Sequence, residues 1–247
     1  MTDLATSEFL TRIKARYSLT TSGAASNQVD LEIDNPWYII TAVVFSASNR
    51  PDAIPRVFEF VISELGTLSA TKDDKLRLVV RMREALFKAG MISGYSRAIS
   101  SLVALYEATP QELRDTKLIR EVDNDKVSDL IARGDELFTA MYGDTAAQVQ
   151  SLLESIHPDM GWFSKNIAYG HVYNGLKVLG QRDTSYAIVA ALIAMDTPRQ
   201  IGWHLANCRR GGASYDEVCA VRDIAIQVAS VCGVKWHDGV PEVKDEV

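Results

Sequence analysis

Residues 182–218 contain three consecutive helix signals separated by short turns, and this segment limits what the chain can fold into. Residues 187–195 form an unbroken apolar run, which is typical of a helix that is buried on most sides. Asp183 or Thr184 precedes the run as a candidate N-cap. A helix of this kind needs other elements packed around it, so it predicts the centre of a helical core.

Two further helices follow from turn chemistry. Pro198 lies in the first turn of the second helix, where a missing amide hydrogen costs nothing. Gly211 and Gly212 can adopt the left-handed backbone conformation that ends this helix. Ser214 and Glu217 have the spacing of a capping box that begins the third helix. The order of helix, capped turn, helix, glycine turn and helix predicts an all-α protein.

The same order resembles the core unit of the carboxymuconolactone decarboxylase and alkylhydroperoxidase D-like superfamily. The matching motifs lie in the C-terminal part of the chain: Thr197-Pro198-Arg199-Gln200, Trp203-His204-Leu205 and Gly211-Gly212-Ala213-Ser214. The resemblance implies an alkylhydroperoxidase D-like helical fold, a functional His204 and a homo-oligomer assembled through core helices.

The chain departs from the peroxidase branch of that superfamily, which carries Cys-x-x-Cys-x-x-x-His and a preceding Glu. Thr197 and Gln200 occupy the two cysteine positions, and Ser185 or Tyr186 occupies the Glu position, so that only His204 remains. Without a thiolate this motif has no nucleophile for a peroxide and forms no disulfide. The sequence therefore disfavours thiol peroxidase chemistry here.

An internal repeat is visible when the two halves of the chain are compared. Residues 96–102 align with 198–204, and 109–113 resemble 214–218, which predicts two degenerate copies of one helical unit. The predicted divisions are an N-terminal arm (1–30), a first helical unit (31–118), a decarboxylase-like helical unit (119–240) and a polar tail (241–247). The arm is expected to be mobile or to dock in an oligomer.

The two copies differ where acid/base residues are expected. Arg83 and Glu84 fall where the superfamily has an Arg-Glu pair, whereas Leu102 replaces the histidine of the first copy. One hypothesis is that Glu84 orients His204 across the pseudo-symmetric interface or across subunits. The alternative is that Glu84 is an exposed helix residue or a partner of Arg83 or Lys88.

Residues 157–175 have the most unusual composition in the chain, with two His, one Trp, two Tyr and three Gly. Such hydrogen-bonding aromatic side chains suit a pocket for a planar or lactone-like molecule. A helix would bring together Trp162, Lys165, Tyr169 and Tyr173, which recur every three or four residues. The alternative is an ordinary core helix with buried rings.

These observations predict a non-redox enzyme that uses acid/base chemistry on a small cyclic or carboxylated organic compound, as a decarboxylase, another lyase or an isomerase. His204 and Glu84 are the predicted catalytic residues. The predicted substrate-binding residues are Trp162, Tyr169, His171, Tyr173, Tyr186, Gln200 and Trp203. No metal or organic cofactor is expected.

Two alternatives stay open. The chain can be a family member that has lost catalysis and acts as a binding or assembly scaffold. A thiol-dependent peroxidase or oxidoreductase is the other, because Cys208 follows His204 by one helical turn. Free cysteines are nevertheless often small buried core residues.

The charge of the chain excludes some partners. A net charge of -6 and an isoelectric point near 5.3 disfavour nucleic acids and anionic membranes. Three cysteines without zinc or redox spacing indicate a reduced compartment. No run reaches the roughly 18 apolar residues that span a bilayer, and the first residues do not resemble a signal peptide. A cytoplasmic location is expected.

Overall fold

The computed structural model describes residues 4–17, 27–115, 117–120 and 127–245, and within these ranges every regular element is a helix. The all-α class is therefore confirmed. The α-helices are α1 (Ser7–Lys14), α2 (Gln28–Asp34), α3 (Trp37–Ala47), α4 (Ile54–Thr67), α5 (Lys72–Ser93), α6 (Tyr95–Ala108), α7 (Val127–Tyr142), α8 (Ala146–Ile156), α9 (Pro158–Phe163), α10 (Gln181–Ala194), α11 (Pro198–Arg210) and α12 (Tyr215–Val231). A π-helix, Ser164–Tyr173, follows α9, and short 3₁₀ turns occupy Pro51–Ala53, Gln111–Leu113 and Gly143–Thr145.

The core is built around α3 and α10, which pack against each other and share α5 and α12 as neighbours. Every residue of α3 is buried, and α10 is buried from Asp183 to Ala194. This explains their continuous apolar sequences, since neither helix has a face for water. The sequence predicted Asp183 or Thr184 as the N-cap of α10, and this was wrong. The helix begins earlier, after Gly180, and both residues lie in its first turn.

The predicted caps of the next two helices are confirmed. Pro198 lies in the first turn of α11, and the chain leaves this helix through Gly211 and Gly212, the latter with φ of 91°. Ser214 and Glu217 form the expected capping box of α12. These local signals fix how α10, α11 and α12 follow one another, and hence where His204 lies.

The first helix belongs to the folded body. Phe9, Leu10 and Ile13 of α1 are buried, and the helix packs against α3 and α4 of its own chain. The structure therefore differs from the expected mobile or oligomer-docking arm over residues 4–17, because the apolar face of α1 is covered within the same molecule. The remainder of the expected linker, residues 18–26, lies outside the described residues.

A second layer covers one side of this core. It consists of α7, α8, α9 and the π-helix, and it contacts α11 through α7 and α5 through the π-helix. The π-helix approaches α7 closely because glycines meet there: a methyl group at Gly170 would lie 2.8 Å from the carbonyl oxygen of Leu130. The site described next lies where this layer meets α11.

The finer predictions about architecture stay predictions: the alkylhydroperoxidase D-like fold, the two repeats and the boundaries between the units. Among the described residues, no helix combines the length and apolar composition needed to cross a bilayer.

Candidate functional site

His204 lies in the middle of α11 with only 5% of its surface exposed, as expected for a residue on the inward face of an amphipathic helix. Its Nε2 atom is 3.2 Å from the hydroxyl oxygen of Tyr142, the last residue of α7. The two rings meet edge to face with centroids 5.7 Å apart. The pair joins the second layer to the core.

Asn207, one turn after His204, fixes the other side of the imidazole. In the orientation that gives both the amide nitrogen and the amide oxygen of Asn207 a suitable partner, the nitrogen donates to the carbonyl oxygens of Met141, at 2.7 Å, and Trp203, at 3.0 Å. The amide oxygen then faces Nδ1 of His204, with the contact at 3.4 Å. This arrangement assigns the proton to Nδ1 and leaves Nε2 to accept the Tyr142 hydroxyl proton.

Burial sets the protonation of this pair. Desolvation lowers the pKa of His204 to about 4, since no charged partner compensates an imidazolium there. Desolvation also raises the pKa of Tyr142, against a hydrogen bond from Tyr169 that lowers it. At neutral pH the site therefore holds a neutral imidazole and a protonated tyrosine.

A cavity of about 680 Å³ adjoins the pair. Tyr142, Asn207 and Trp203 line it, together with the outer side of α11 and the C-terminal segment around Pro241. His204 lies behind Tyr142 and Asn207 and does not itself line the cavity. A small molecule in the cavity would therefore contact Tyr142 and not His204 directly.

The cavity wall carries more positive than negative charge. Its cations are Arg199, Arg210 and Lys244, and its only carboxylate within the described residues is Glu242. Arg222 pairs with that carboxylate at 2.7 Å, whereas Arg210 pairs with the exposed Asp144 at 3.2 Å. The field in the cavity therefore favours an anionic ligand.

Glu84 is buried, with 2% exposure, and belongs to a different cluster. Arg120 donates two hydrogen bonds of 2.6 and 3.1 Å to the Glu84 carboxylate, and the Lys88 ammonium nitrogen lies 3.6 Å from the same carboxylate. Burial lowers the pKa of Lys88 to about 8. The structure thus does not bring Glu84 to His204 within the chain. Of the alternatives for Glu84, pairing with Lys88 is observed, whereas exposure on a helix surface is not.

The predicted aromatic face is divided by the π-helix. Tyr169 and Tyr173 are buried and meet edge to face with centroids 5.2 Å apart, and Tyr169 is hydrogen-bonded to Tyr142. Trp162, by contrast, lies on α9 with 58% of its surface exposed, and Lys165 pairs with Asp135. Trp162 precedes the π-helix, so the change of helix type between Phe163 and Ser164 separates it from the residues that follow, whereas Tyr169 and Tyr173 lie within the π-helix and stay in contact.

The other four predicted binding residues lie in four different places. Trp203 lines the cavity beside Tyr142. Tyr186 is fully buried in α10, where its hydroxyl is 3.4 Å from that of Tyr17, and Gln200 is exposed on α11. His171 is half-buried, and its backbone oxygen accepts a hydrogen bond from Arg120. Apart from Trp203, none of these four lines the cavity.

Cys208 is fully buried on α11, and desolvation raises the pKa of its thiol well above its usual range. A protonated thiol without access to solvent is a poor nucleophile. Its position matches the alternative reading of a small core residue.

Two residues of the site escaped the sequence reading. Tyr142 lies 62 residues before His204, and no spacing rule connects them. Asn207 carried a usable signal, because it follows His204 by three residues and so shares its helix face.

The fold and the site together define a helical protein with a buried tyrosine–histidine pair beside a cationic cavity. No protein-family model matches the chain. It is similar to Peroxisomal protein 2 of Saccharomyces cerevisiae, with 25% identity over 87% of this chain and 94% of the relative. It is also similar to Peroxisomal protein 2 of Schizosaccharomyces pombe, with 29% identity over 82% of this chain and 90% of the relative.

The expected cytoplasmic location is wrong. Both of these relatives are named as peroxisomal proteins, and they align with most of the chain. The bulk charge and the cysteine usage had indicated only a reduced compartment, and neither property distinguishes the cytoplasm from an organelle.

Proposed function

We propose that the chain is an enzyme that performs acid/base chemistry on a small organic molecule at the Tyr142–His204 pair. The observation that carries the proposal is the hydrogen bond of 3.2 Å between a neutral buried imidazole and a tyrosine that lines a cavity. The cavity volume, about 680 Å³, lies in the range of small-molecule sites.

The pair supplies a route for one proton. The Tyr142 oxygen takes a proton from a substrate C–H or O–H group while its own proton passes to Nε2 of His204. The substrate is left as an anion and His204 as an imidazolium, whose Nδ1–H donates to Asn207. Because burial disfavours the imidazolium, the proton readily returns by the same path, as an isomerase or a decarboxylating lyase requires.

The cavity wall supports a carboxylated substrate. Arg199, Arg210 and Lys244 supply positive charge, and the indole of Trp203 supplies an apolar surface for a ring. The resemblance to carboxymuconolactone decarboxylases points to the same kind of compound. Burial of Cys208 supports a non-redox reaction over the thiol-dependent alternative.

A ligand-binding screen by thermal shift tests this proposal, with small lactones, carboxylated aromatics and polyketide-like acids as probes. The wild-type chain should be stabilised by at least one class, by about 2.7 kcal/mol at a hundredfold excess over Kd. Tyr142→Phe and His204→Gln should lose turnover of that compound. Tyr173→Phe is the matched control, because it removes a hydroxyl from the same aromatic cluster away from the cavity.

The second candidate function is a binding or assembly scaffold that has lost catalysis. It is favoured by the position of His204 behind the cavity wall and by apolar side chains exposed on α6, α8 and α9. If no probe stabilises the wild-type chain, or if a bound probe is not turned over, the scaffold function replaces the enzyme. Equal turnover of a probe by Tyr142→Phe and the wild type would instead contradict the proposed role of the Tyr142–His204 pair.

We also propose a peroxisomal location for this chain, on the basis of its two relatives. A fluorescent fusion at either end of the chain should coincide with a peroxisomal marker in cells. Diffuse cytoplasmic fluorescence from both fusions would contradict the proposal.

A further inference from the structure

Residues 240–244, a segment that we name the strap, form the irregular part of the cavity wall. The helices α7 and α11 and a 3₁₀ turn supply the rest of the wall, whereas Pro241, Glu242 and Lys244 come from the strap. The two helices are held in place by packing, since α11 lies against α10 and α7. The strap has no helix of its own, so its position depends on side chains from other elements.

Arg222 of α12 holds the strap in place. Its guanidinium donates hydrogen bonds of 2.7 Å to the backbone oxygens of Val240 and Pro241 and to the carboxylate of Glu242. Hydrogen bonds from a charged donor are among the stronger ones in proteins. The Arg222 side chain is 18% exposed and does not line the cavity, so it acts on the cavity only through the strap.

Val243 gives the strap a second anchor. Its side chain is buried and belongs to the hydrophobic core, whereas Glu242 and Lys244 on either side of it are exposed. The backbone is therefore fixed at Val240 and Pro241 by Arg222, and again at the residue before Lys244. These two anchors determine where Lys244 stands in the cavity wall.

Two cations of the cavity wall have no acidic partner within the described residues. They are Arg199, near the start of α11, and Lys244 on the strap. The third cation, Arg210, is paired with Asp144 at 3.2 Å. A ligand carboxylate can therefore bind Arg199 and Lys244 without breaking an existing ion pair, whereas at Arg210 it would compete with Asp144.

We propose that Arg199 and Lys244 together bind the carboxylate of the substrate, and that Arg222 positions the strap so that Lys244 can take part. This inference rests on the proposed function, from which it takes the carboxylated substrate. Because the two cations come from different elements, both elements must be in place for the carboxylate to be held from two sides. The strap thereby selects an acid over its uncharged amide or ester, and Arg222 is a positioning residue for that selection.

Fluorescence quenching of Trp203 tests the inference without a substrate, because this indole lines the same cavity. Iodide, an anion, reports the attraction of the cavity cations, and uncharged acrylamide reports how open the cavity is. Trp162 is 58% exposed, so the chain carries Trp162→Phe throughout, and the contribution of Trp203 is the signal that Trp203→Phe removes. Ionic strength is kept constant, since salt screens exposed charges.

The two parts of the proposal predict different quenching patterns. Lys244→Gln removes a charge and keeps the strap, so iodide quenching of Trp203 should fall at least about twofold with acrylamide quenching unchanged. Arg222→Gln releases the strap, so iodide quenching should fall by a similar factor while acrylamide quenching rises at least about twofold. The controls are Lys235→Gln, at an exposed position outside the cavity, and Arg16→Gln, which breaks an exposed ion pair with α12. Both controls should match the parent chain.

Equal iodide quenching in Lys244→Gln and Lys235→Gln would overturn the role of Lys244. If Arg222→Gln behaved as Arg16→Gln does with both quenchers, the positioning role of Arg222 would be overturned. Lys244 is exposed, so its variant keeps the fold and tests the anion site even where Arg222→Gln loses helical content.

The failure of this inference can be told from the failure of the proposed enzyme. A chain that shows the predicted iodide pattern and turns over no organic probe retains the anion site and loses only the proposed chemistry. A chain that turns over a carboxylated probe without the iodide pattern retains the chemistry, and the roles given to Lys244 and Arg222 are then wrong.

Discussion

At the residue scale, the site depends on an imidazole that remains neutral. Burial disfavours the charged form of His204, and its two hydrogen-bond partners, Tyr142 and Asn207, satisfy both ring nitrogens of the neutral form. Protonation of the buried ring would require Tyr142 to turn its hydroxyl from donor to acceptor. The same arrangement links the chemistry of the pair to the pH dependence of folding.

The first prediction concerns acid sensitivity. The pKa of His204 is about 4 in the folded chain and near 6.5 when unfolded, so the unfolded state binds the proton first as pH falls. Stability is complete above pH 6.5 and is lost through the window down to pH 4, by roughly 3 kcal/mol in all. Urea unfolding should show that His204→Gln removes this loss.

The control for this prediction is His237→Gln, because His237 is exposed in the C-terminal segment. This variant should retain the full acid sensitivity of the wild type. Equal pH dependence in His204→Gln and the wild type would show that His204 titrates as an exposed histidine does.

The second prediction separates Glu84 from the proposed chemistry. Glu84→Gln leaves Arg120 and Lys88 without their carboxylate in a buried position, so unfolding free energy should fall by about 3 to 5 kcal/mol. Because the two clusters share no hydrogen bond, the effects of Glu84→Gln and His204→Gln should add within about 0.5 kcal/mol. A double-mutant cycle from urea unfolding measures this, and a coupling above 1 kcal/mol would revive the idea that Glu84 orients His204.

At the element scale, helices with local sequence signals could be predicted, whereas the π-helix, which depends on tertiary packing, could not. The capping box at Ser214, the proline at 198 and the apolar run of α10 are encoded within a few residues, and all three helices are present, although α10 begins before its expected cap. The π-helix Ser164–Tyr173 has no such local signal, since its residues also fit an α-helical spacing. Its close contact with α7 involves Gly134, which lies outside the segment.

The third prediction tests this contact. Gly170→Ala places a methyl group 2.8 Å from the carbonyl oxygen of Leu130, and backbone cannot move aside as a flexible side chain would. Unfolding free energy should fall by about 1 to 3 kcal/mol, with a change in the near-ultraviolet circular dichroism of the tyrosine cluster. The control is Gly66→Ala near the end of α4, where a methyl group meets nothing within 4 Å.

Gly66→Ala should be neutral or stabilising by up to about 1 kcal/mol, because alanine restricts the unfolded chain. Two variants of equal stability would mean that the π-helix does not depend on its close approach to α7.

At the scale of the whole molecule, α1 and the residues after it connect distant parts of the chain. Lys14 bonds to Glu32 and Glu64 at 2.6 and 2.5 Å, while the Tyr17 hydroxyl donates to Glu217 at 3.0 Å. The sequence predicted here only an arm that is mobile or docks in an oligomer. It did not reveal that the covering surface belongs to the same chain, because contacts across 200 residues leave no local pattern.

The last prediction follows from the packing of α1 within the folded body. Ile13 is fully buried, so Ile13→Ala removes methyl groups from the core and should lower the free energy of unfolding by about 2 to 5 kcal/mol. Thr11→Ala, on the exposed face of the same helix, is the control and should change it by no more than about 0.5 kcal/mol. Both variants should unfold in one cooperative transition in urea, since α1 packs against α3 and α4 and Tyr17, just after it, bonds to Glu217. A mobile arm would instead leave the two variants with the same unfolding midpoint as the wild type.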